Sequence, residues 1–104
     1  METGNTFLML AAYSGHAELV RSLIGRGADP NSLNDRGQAP IAGAVFKRED
    51  EVVRVLMEAG ADPRAGDPSA IACARMFGRT DLLGVLGANE VEIKGPLAVA
   101  SARS

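Results

Sequence analysis

The side chains best able to do chemistry are scarce in this chain, which holds one histidine, His16, and one cysteine, Cys73. A thiol becomes a nucleophile when a nearby base or positive charge lowers its pKa, and the sequence has no second histidine for that role. Cys73 falls within Ala70-Ile71-Ala72-Cys73-Ala74, a small-residue segment suited to packing. One Cys and one His cannot furnish a four-ligand zinc site of the Cys/His kind, and a lone Cys closes no internal disulfide, so no metal is expected and a reducing compartment is. The glycines form neither Gly-x-Gly-x-x-Gly nor Gly-Lys-Ser/Thr, the loops that cradle phosphates. No catalytic residue, cofactor or metal ligand is assigned, and an enzyme is not expected.

Charge narrows the partners further. Lys and Arg number 11 against 13 Asp and Glu, for a net charge of −2, so the chain lacks the uncompensated basic footprint that a phosphate backbone requires. Nucleic acid is not expected. The densest run, Lys47-Arg48-Glu49-Asp50-Glu51, carries both signs and reads as a solvated helix start. Asp50 and Glu51 stand at the positive end of that helix, where each carboxylate is favoured by about 0.3–1 kcal/mol. No apolar run reaches the roughly 20 residues that span a bilayer, and no basic region precedes a signal-peptide core, so no membrane partner is expected and a cytoplasmic location is.

The elements that position these residues come from an internal repeat. Ala28-Asp29-Pro30-Asn31 returns as Ala61-Asp62-Pro63-Arg64, 33 residues later, and Leu19-Val20-Arg21-Ser22-Leu23-Ile24 overlays Val52-Val53-Arg54-Val55-Leu56-Met57 at the same interval. A third copy runs through Ser69–Ala74, Gly78 and Leu82–Leu86, offset by 30 residues after a deletion near Ala65–Asp67. The expected domain is 1–87, with repeats at about 4–34, 35–66 and 67–87. The segment 88–104 is expected to be a tail, disordered or capping.

Within each copy two short helices are expected. In the first, Met1–Asn5 reads as a polar turn, Thr6 as a cap, and Phe7–Ser14 as a helix. Beyond Gly15-His16, Leu19, Val20, Leu23 and Ile24 form an apolar stripe on a second helix, with Glu18 and Arg21 facing outward. Gly27 is placed to close that helix in a left-handed conformation. The second copy predicts helices near Pro40–Lys47 and Asp50–Glu58, and the third near Ala70–Phe77 and Thr80–Leu86, with Ser69 as cap. Leu23 and Leu56 are expected in the core. Asn34-Asp35-Arg36-Gly37 marks a hairpin-like loop.

Gly4-x-Thr6-x-Leu8-x-x-Ala11-Ala12-x-x-Gly15-His16, Leu23-Ile24 and Gly27-Ala28-Asp29-x-Asn31 together resemble the ankyrin repeat. The resemblance covers about Gly4 to Leu86 and is closest to small stand-alone microbial ankyrin proteins. It implies an all-α solenoid of about three stacked helix-turn-helix repeats joined by β-hairpin-like loops. It also implies a non-catalytic role in binding another protein through hairpin tips and the exposed side of the first helices. The family's Thr-Pro-Leu-His appears here as Thr6-Phe7-Leu8-Met9, Ala39-Pro40-Ile41-Ala42 and Ser69-Ala70-Ile71-Ala72, so its His is absent from every copy. His16 occupies a position the family commonly fills with His, which implies a hydrogen bond near the helix turn.

Five residues are candidates for partner contact: Tyr13, Arg36, Phe46, Lys47 and Phe77. Tyr13, Phe46 and Met76 recur at the end of the first helices and serve either a partner or the packing between repeats. Phe77, one position on, has no packing role to explain it. Arg36 could pair with a partner carboxylate, while Asn34 and Asp35 could hold the same loop by bonding its backbone; both can hold at once. A second reading is a self-associating subunit, or a fragment of a longer ankyrin protein. In that case Leu10, Tyr13 and their neighbours leave an apolar face exposed on the first repeat.

Overall fold

The computed structural model describes the backbone of residues 2–88 and side chains from Thr6 to Ala88. Six helices follow in order: α1 (Glu2–Ser14), α2 (Ala17–Gly25), α3 (Pro40–Phe46), α4 (Asp50–Glu58), α5 (Ala70–Met76) and α6 (Thr80–Val85). The described residues contain no strand. Helices α1, α3 and α5 pack in one row, and α2, α4 and α6 in a second row behind it. Each pair is an antiparallel hairpin that cannot bury its own apolar stripe, and stacking the pairs joins the stripes into one core.

That core is made of small and branched residues. In α3 every residue from Pro40 to Val45 is buried, because the helix is enclosed by α1, α4 and α5. Ala42, Gly43 and Ala44 let the neighbouring backbones approach. Leu8, Val20, Ile41, Val52, Val53, Leu56, Leu82 and Leu83 supply the larger buried side chains. No described helix is long and apolar enough to cross a membrane.

All six helices end in the same way. After α2, α4 and α6 the chain turns at Gly27, Gly60 and Gly87 with φ of +105°, +91° and +72°. There Ala28, Ala61 and Ala88 donate their N–H groups back to the carbonyls of Leu23, Leu56 and Leu83. After α1, α3 and α5 the equivalent residues are Gly15, Arg48 and Gly78, and His16, Glu49 and Arg79 donate to Ala11, Ala44 and Ala74. This is a left-handed closure that glycine adopts without steric cost. Arg48, at φ +62°, is the described non-glycine residue that adopts it.

Side chains tie each repeat to the next. Asn31 accepts the N–H of Asp62 at 2.6 Å and reaches the carbonyl of Gly60 at 3.4 Å. Arg64, 33 residues on, makes the corresponding link to the carbonyl of Gly87 at 3.3 Å. Arg79 of the third repeat reaches Asp50 of the second. Across the outer row Arg21 lies 3.7 Å from Glu58.

Several expectations need correction. α1 begins at Glu2, so the expected polar turn and Thr6 cap lie within a helix. No proline interrupts residues 2–6, and the weak preference of Thr3, Gly4 and Asn5 against helix is overridden by the packed turns that follow. The first helices of the second and third copies end one residue early, with Lys47 and Phe77 as caps. Leu23 is half-buried and Leu19 exposed, because the first repeat has a neighbour on one side alone among the described residues. The segment 89–104, expected as a tail, lies outside the described residues.

Candidate functional site

The loop before α3 is built by one side chain. Asn34 accepts from the N–H groups of Arg36 and Gln38, both at 2.9 Å, while its amide donates to Gln38 Oε1 at 2.9 Å. Backbone bonds from Asn34 to Gln38 and from Gly37 to Asn34 complete a tight turn with hairpin character. The turn is therefore held by Asn34, and Arg36 is left at its surface with its side chain exposed. Asp67 donates its N–H to the carbonyl of Gly37, which joins this loop to the next repeat.

Tyr13 connects the first repeat to the same loop. Its hydroxyl lies 3.3 Å from Gln38 Oε1, and its ring rests directly on the α-carbon of Gly43. The side chain is half-buried against the second repeat. Tyr13 thus belongs to the contact between repeats, not to the exposed outer face of the first one. Leu10, by contrast, is exposed, as are Phe7 and Leu19 nearby.

Between loop and helices runs a groove of about 460 Å³. Arg36, Asn34 and Gln38 line it from the loop; Ala42, Gly43, Phe46 and Lys47 from α3 and its cap; Cys73 and Met76 from α5; and Tyr13 from α1. Phe46 and Met76 expose 60% and 58% of their surface, too much for side chains whose task is packing between repeats. Phe77, 39% exposed, sets its ring 5.6 Å from that of Phe46 in a tilted pair. Such an arrangement suits the ring quadrupoles and holds both aromatics in place beside the groove.

The structure therefore brings Tyr13, Arg36, Phe46 and Lys47 to one concavity, with Phe77 against Phe46 at its edge. Sequence reasoning missed Gln38 as a lining residue and Cys73 as part of the floor, while Met76, which it left between partner contact and packing, lines the groove as well. The recurrence of a large side chain at Tyr13, Phe46 and Met76 was the available signal. It could not separate the buried contact of Tyr13 from the exposed ones of Phe46 and Met76.

The groove lining includes one thiol, that of Cys73. The Cys73 thiol is buried, which pushes its pKa up and keeps it protonated. His16 is exposed at the start of α2, where its backbone N–H donates to Ala11 but, among the described residues, its ring makes no capping bond. Among the described residues no group of three or more His, Cys, Asp or Glu side chains converges on a point. The perturbed acids and bases lie elsewhere: Arg79 and Asp81 share a hydrogen-bonded ion pair at 3.1 Å, which holds the Asp81 carboxyl below the usual range.

Residues 1–67 match the profile of ankyrin repeats in three copies. The chain is 35% identical over 83 residues to a putative ankyrin repeat-containing protein of Treponema pallidum, covering 77% of this chain and 28% of that one. It is 39% identical over 64 residues to cyclin-dependent kinase 4 inhibitor B of Mus musculus, 62% of this chain and 48% of the inhibitor. A 60-residue stretch is 42% identical to the mitochondrial disaggregase of Bos taurus, 58% of this chain and 9% of that protein. The chain thus spans about half the length of these relatives or less. Repeats of this kind are in general protein-interaction modules and typically carry no enzymatic activity, and the chain belongs to the ankyrin-repeat family.

Proposed function

We propose that this protein is a non-catalytic interaction module that binds a partner protein through the groove between the Asn34–Gln38 loop and helices α3 and α5. The observation that carries this reading is the exposed rim of Phe46, Met76 and Phe77 beside a cleft with a small-residue floor. Aromatic and Arg side chains dominate binding energy at protein interfaces because they bring large area at low entropic cost. The kinase inhibitor among its relatives is named for acting on another protein, which is consistent with this use of the fold.

The test is affinity capture from the native lysate on two columns, the parent and an Arg36→Ala/Phe77→Ala variant. Proteins retained by the parent and lost from the variant support the groove. Equal retention on both would move the site to the outer helices, where Arg21, Arg54 and Glu58 stand.

A second reading is favoured by a different observation, the exposure of Phe7, Leu10 and Leu19 on the first repeat. A second copy of the chain stacked there would extend the core by one more layer. Light scattering separates the two readings, since a monomer up to near-millimolar concentration removes self-association.

A further inference from the structure

We propose that the groove selects an acidic segment of its partner, one that lays an apolar side chain against Phe46 and Met76 and turns carboxylates to Arg36 and Lys47. This rests on the groove being the binding surface and adds the chemistry of what it binds. The charged side chains among its lining residues are Arg36 and Lys47, and no carboxylate lines it with them, although the whole chain is net acidic at −2. The sign of the groove is therefore local. Asp35, next to Arg36 in the loop, lines the neighbouring depression over Thr6, Met9 and Leu10, which Arg36 also borders, and Asp67 is tied to Gly37 by its N–H; neither acid lines the groove.

These two cations are also uncommitted. Among the described residues no hydrogen bond or ion pair engages the side chain of Arg36 or Lys47, and both are exposed. Arg21 and Arg79, by comparison, are held by Glu18 and Asp50 at 2.9 and 2.8 Å. Of the acids that follow Lys47 in the chain, Asp50 is taken by Arg79, the Glu49 carboxylate lies against Gly15, and the exposed Glu51 lines a separate depression with Gly15 to Leu19.

An independent observation concerns Arg48. It occupies the left-handed closing position that glycine fills after each of the other five helices, and is exposed there next to Lys47. The fold alone would be better served by glycine. A third cation at this strained position directly follows Lys47, which lines the groove. Complementary charge of this kind steers encounter and rejects partners of the wrong sign. A phosphate backbone fits less well, because the basic end passes straight into Glu49, Asp50 and Glu51.

The experiment is a selection from a random short-peptide display library on three baits: the parent, Arg36→Glu/Lys47→Glu, and Phe46→Ala/Met76→Ala. All four positions are exposed, so the fold is retained, and circular dichroism melts check this. The parent is expected to enrich peptides with Asp or Glu flanking a large apolar residue. The best of these should bind the charge-reversed variant at least roughly tenfold more weakly, with a similar loss when its acids become amides. Enriched peptides that are neutral or basic, or acidic ones that bind the charge-reversed variant equally, overturn the proposal, as does a selection that enriches nothing. If neutral peptides are enriched and then lost on Phe46→Ala/Met76→Ala, the groove stands and its charge preference falls. If enriched peptides ignore both variants, the groove reading itself fails. A labelled single-stranded oligonucleotide that displaces the acidic peptides, with affinity falling steeply with salt, would replace the acidic segment by a polyanion.

Discussion

The ring of Tyr13 lies so close to the α-carbon of Gly43 that a methyl group there would occupy the ring's own volume. Two consecutive first helices approach through this contact, and the Tyr13 hydroxyl continues it to Gln38 at 3.3 Å. Helix propensity alone argues for Ala over Gly inside α3 by about 1 kcal/mol. Overpacking reverses the sign, and Gly43→Ala is expected to destabilise by about 1–3 kcal/mol. Gly84 in α6 is the control, exposed and with no atom within 4 Å of its would-be side chain. Gly84→Ala is expected to stabilise by about 0.5–1 kcal/mol. Urea melts that move both variants in the same direction would show that the Tyr13 contact does not govern position 43.

Leu56 and Leu23 hold equivalent positions, yet their environments differ. Leu56 is fully buried between α4 and its neighbours, and truncation to Ala leaves a cavity costing about 2–5 kcal/mol. Leu23 is half-buried, so the lost burial is partial and Leu23→Ala should cost about 1 kcal/mol. Equal losses in denaturant melts would mean that the outer side of the first repeat is covered in solution, by a second copy or by residues beyond those described.

This pair also shows where the sequence was legible. The 33-residue interval and the apolar stripes located five of the six helices to within a residue or two at the ends they implied, and the glycine turns after α2, α4 and α6 followed from Gly27 and its equivalents. Periodicity reports which face of a helix is apolar, but not whether a neighbour covers that face, so the stripe alone places Leu19 and Leu23 deeper than they lie. The start of α1 was missed because Thr3, Gly4 and Asn5 resemble a cap while tertiary packing decides the outcome. At the groove, residue type nominated Tyr13, Arg36, Phe46, Lys47 and Phe77. That Gln38 and Cys73 join them depends on how the loop folds back over α3, which no single-position property records.

Arg79 lies 2.8 Å from Asp50 and 3.1 Å from Asp81, and its guanidinium stays protonated throughout the accessible range. The hydrogen bond from Arg79 holds the Asp81 carboxyl below its ordinary pKa of about 3.9. A group whose folded pKa is depressed stabilises the protein above its unfolded pKa and loses that contribution as pH falls through the folded value. Stability should therefore decline below about pH 4, by a modest amount because Asp81 is largely exposed and screened by salt. In Arg79→Gln the slope of the urea midpoint against pH over that window should flatten. An unchanged slope would mean that other carboxylates carry the acid sensitivity.

Arg48 closes α3 at φ +62°, where Gly15 and Gly78 close α1 and α5 at +78° and +68°. A side chain in the left-handed region costs roughly 1–2 kcal/mol, part of which is offset because glycine gives up more freedom on folding. Arg48→Gly is expected to raise stability by about 0.5–1 kcal/mol, and Gly78→Ala, with open space around its would-be side chain, to lower it by a similar amount. Gly15→Ala should be worse than either, since its side chain would also meet the Glu49 carboxylate. The decisive comparison sets stability beside binding: Arg48→Gly should melt later than the parent and yet bind an acidic peptide less well, the pattern expected when strain is retained for function. A variant that melts earlier would show that the Arg48 side chain makes a stabilising contact that outweighs its backbone strain.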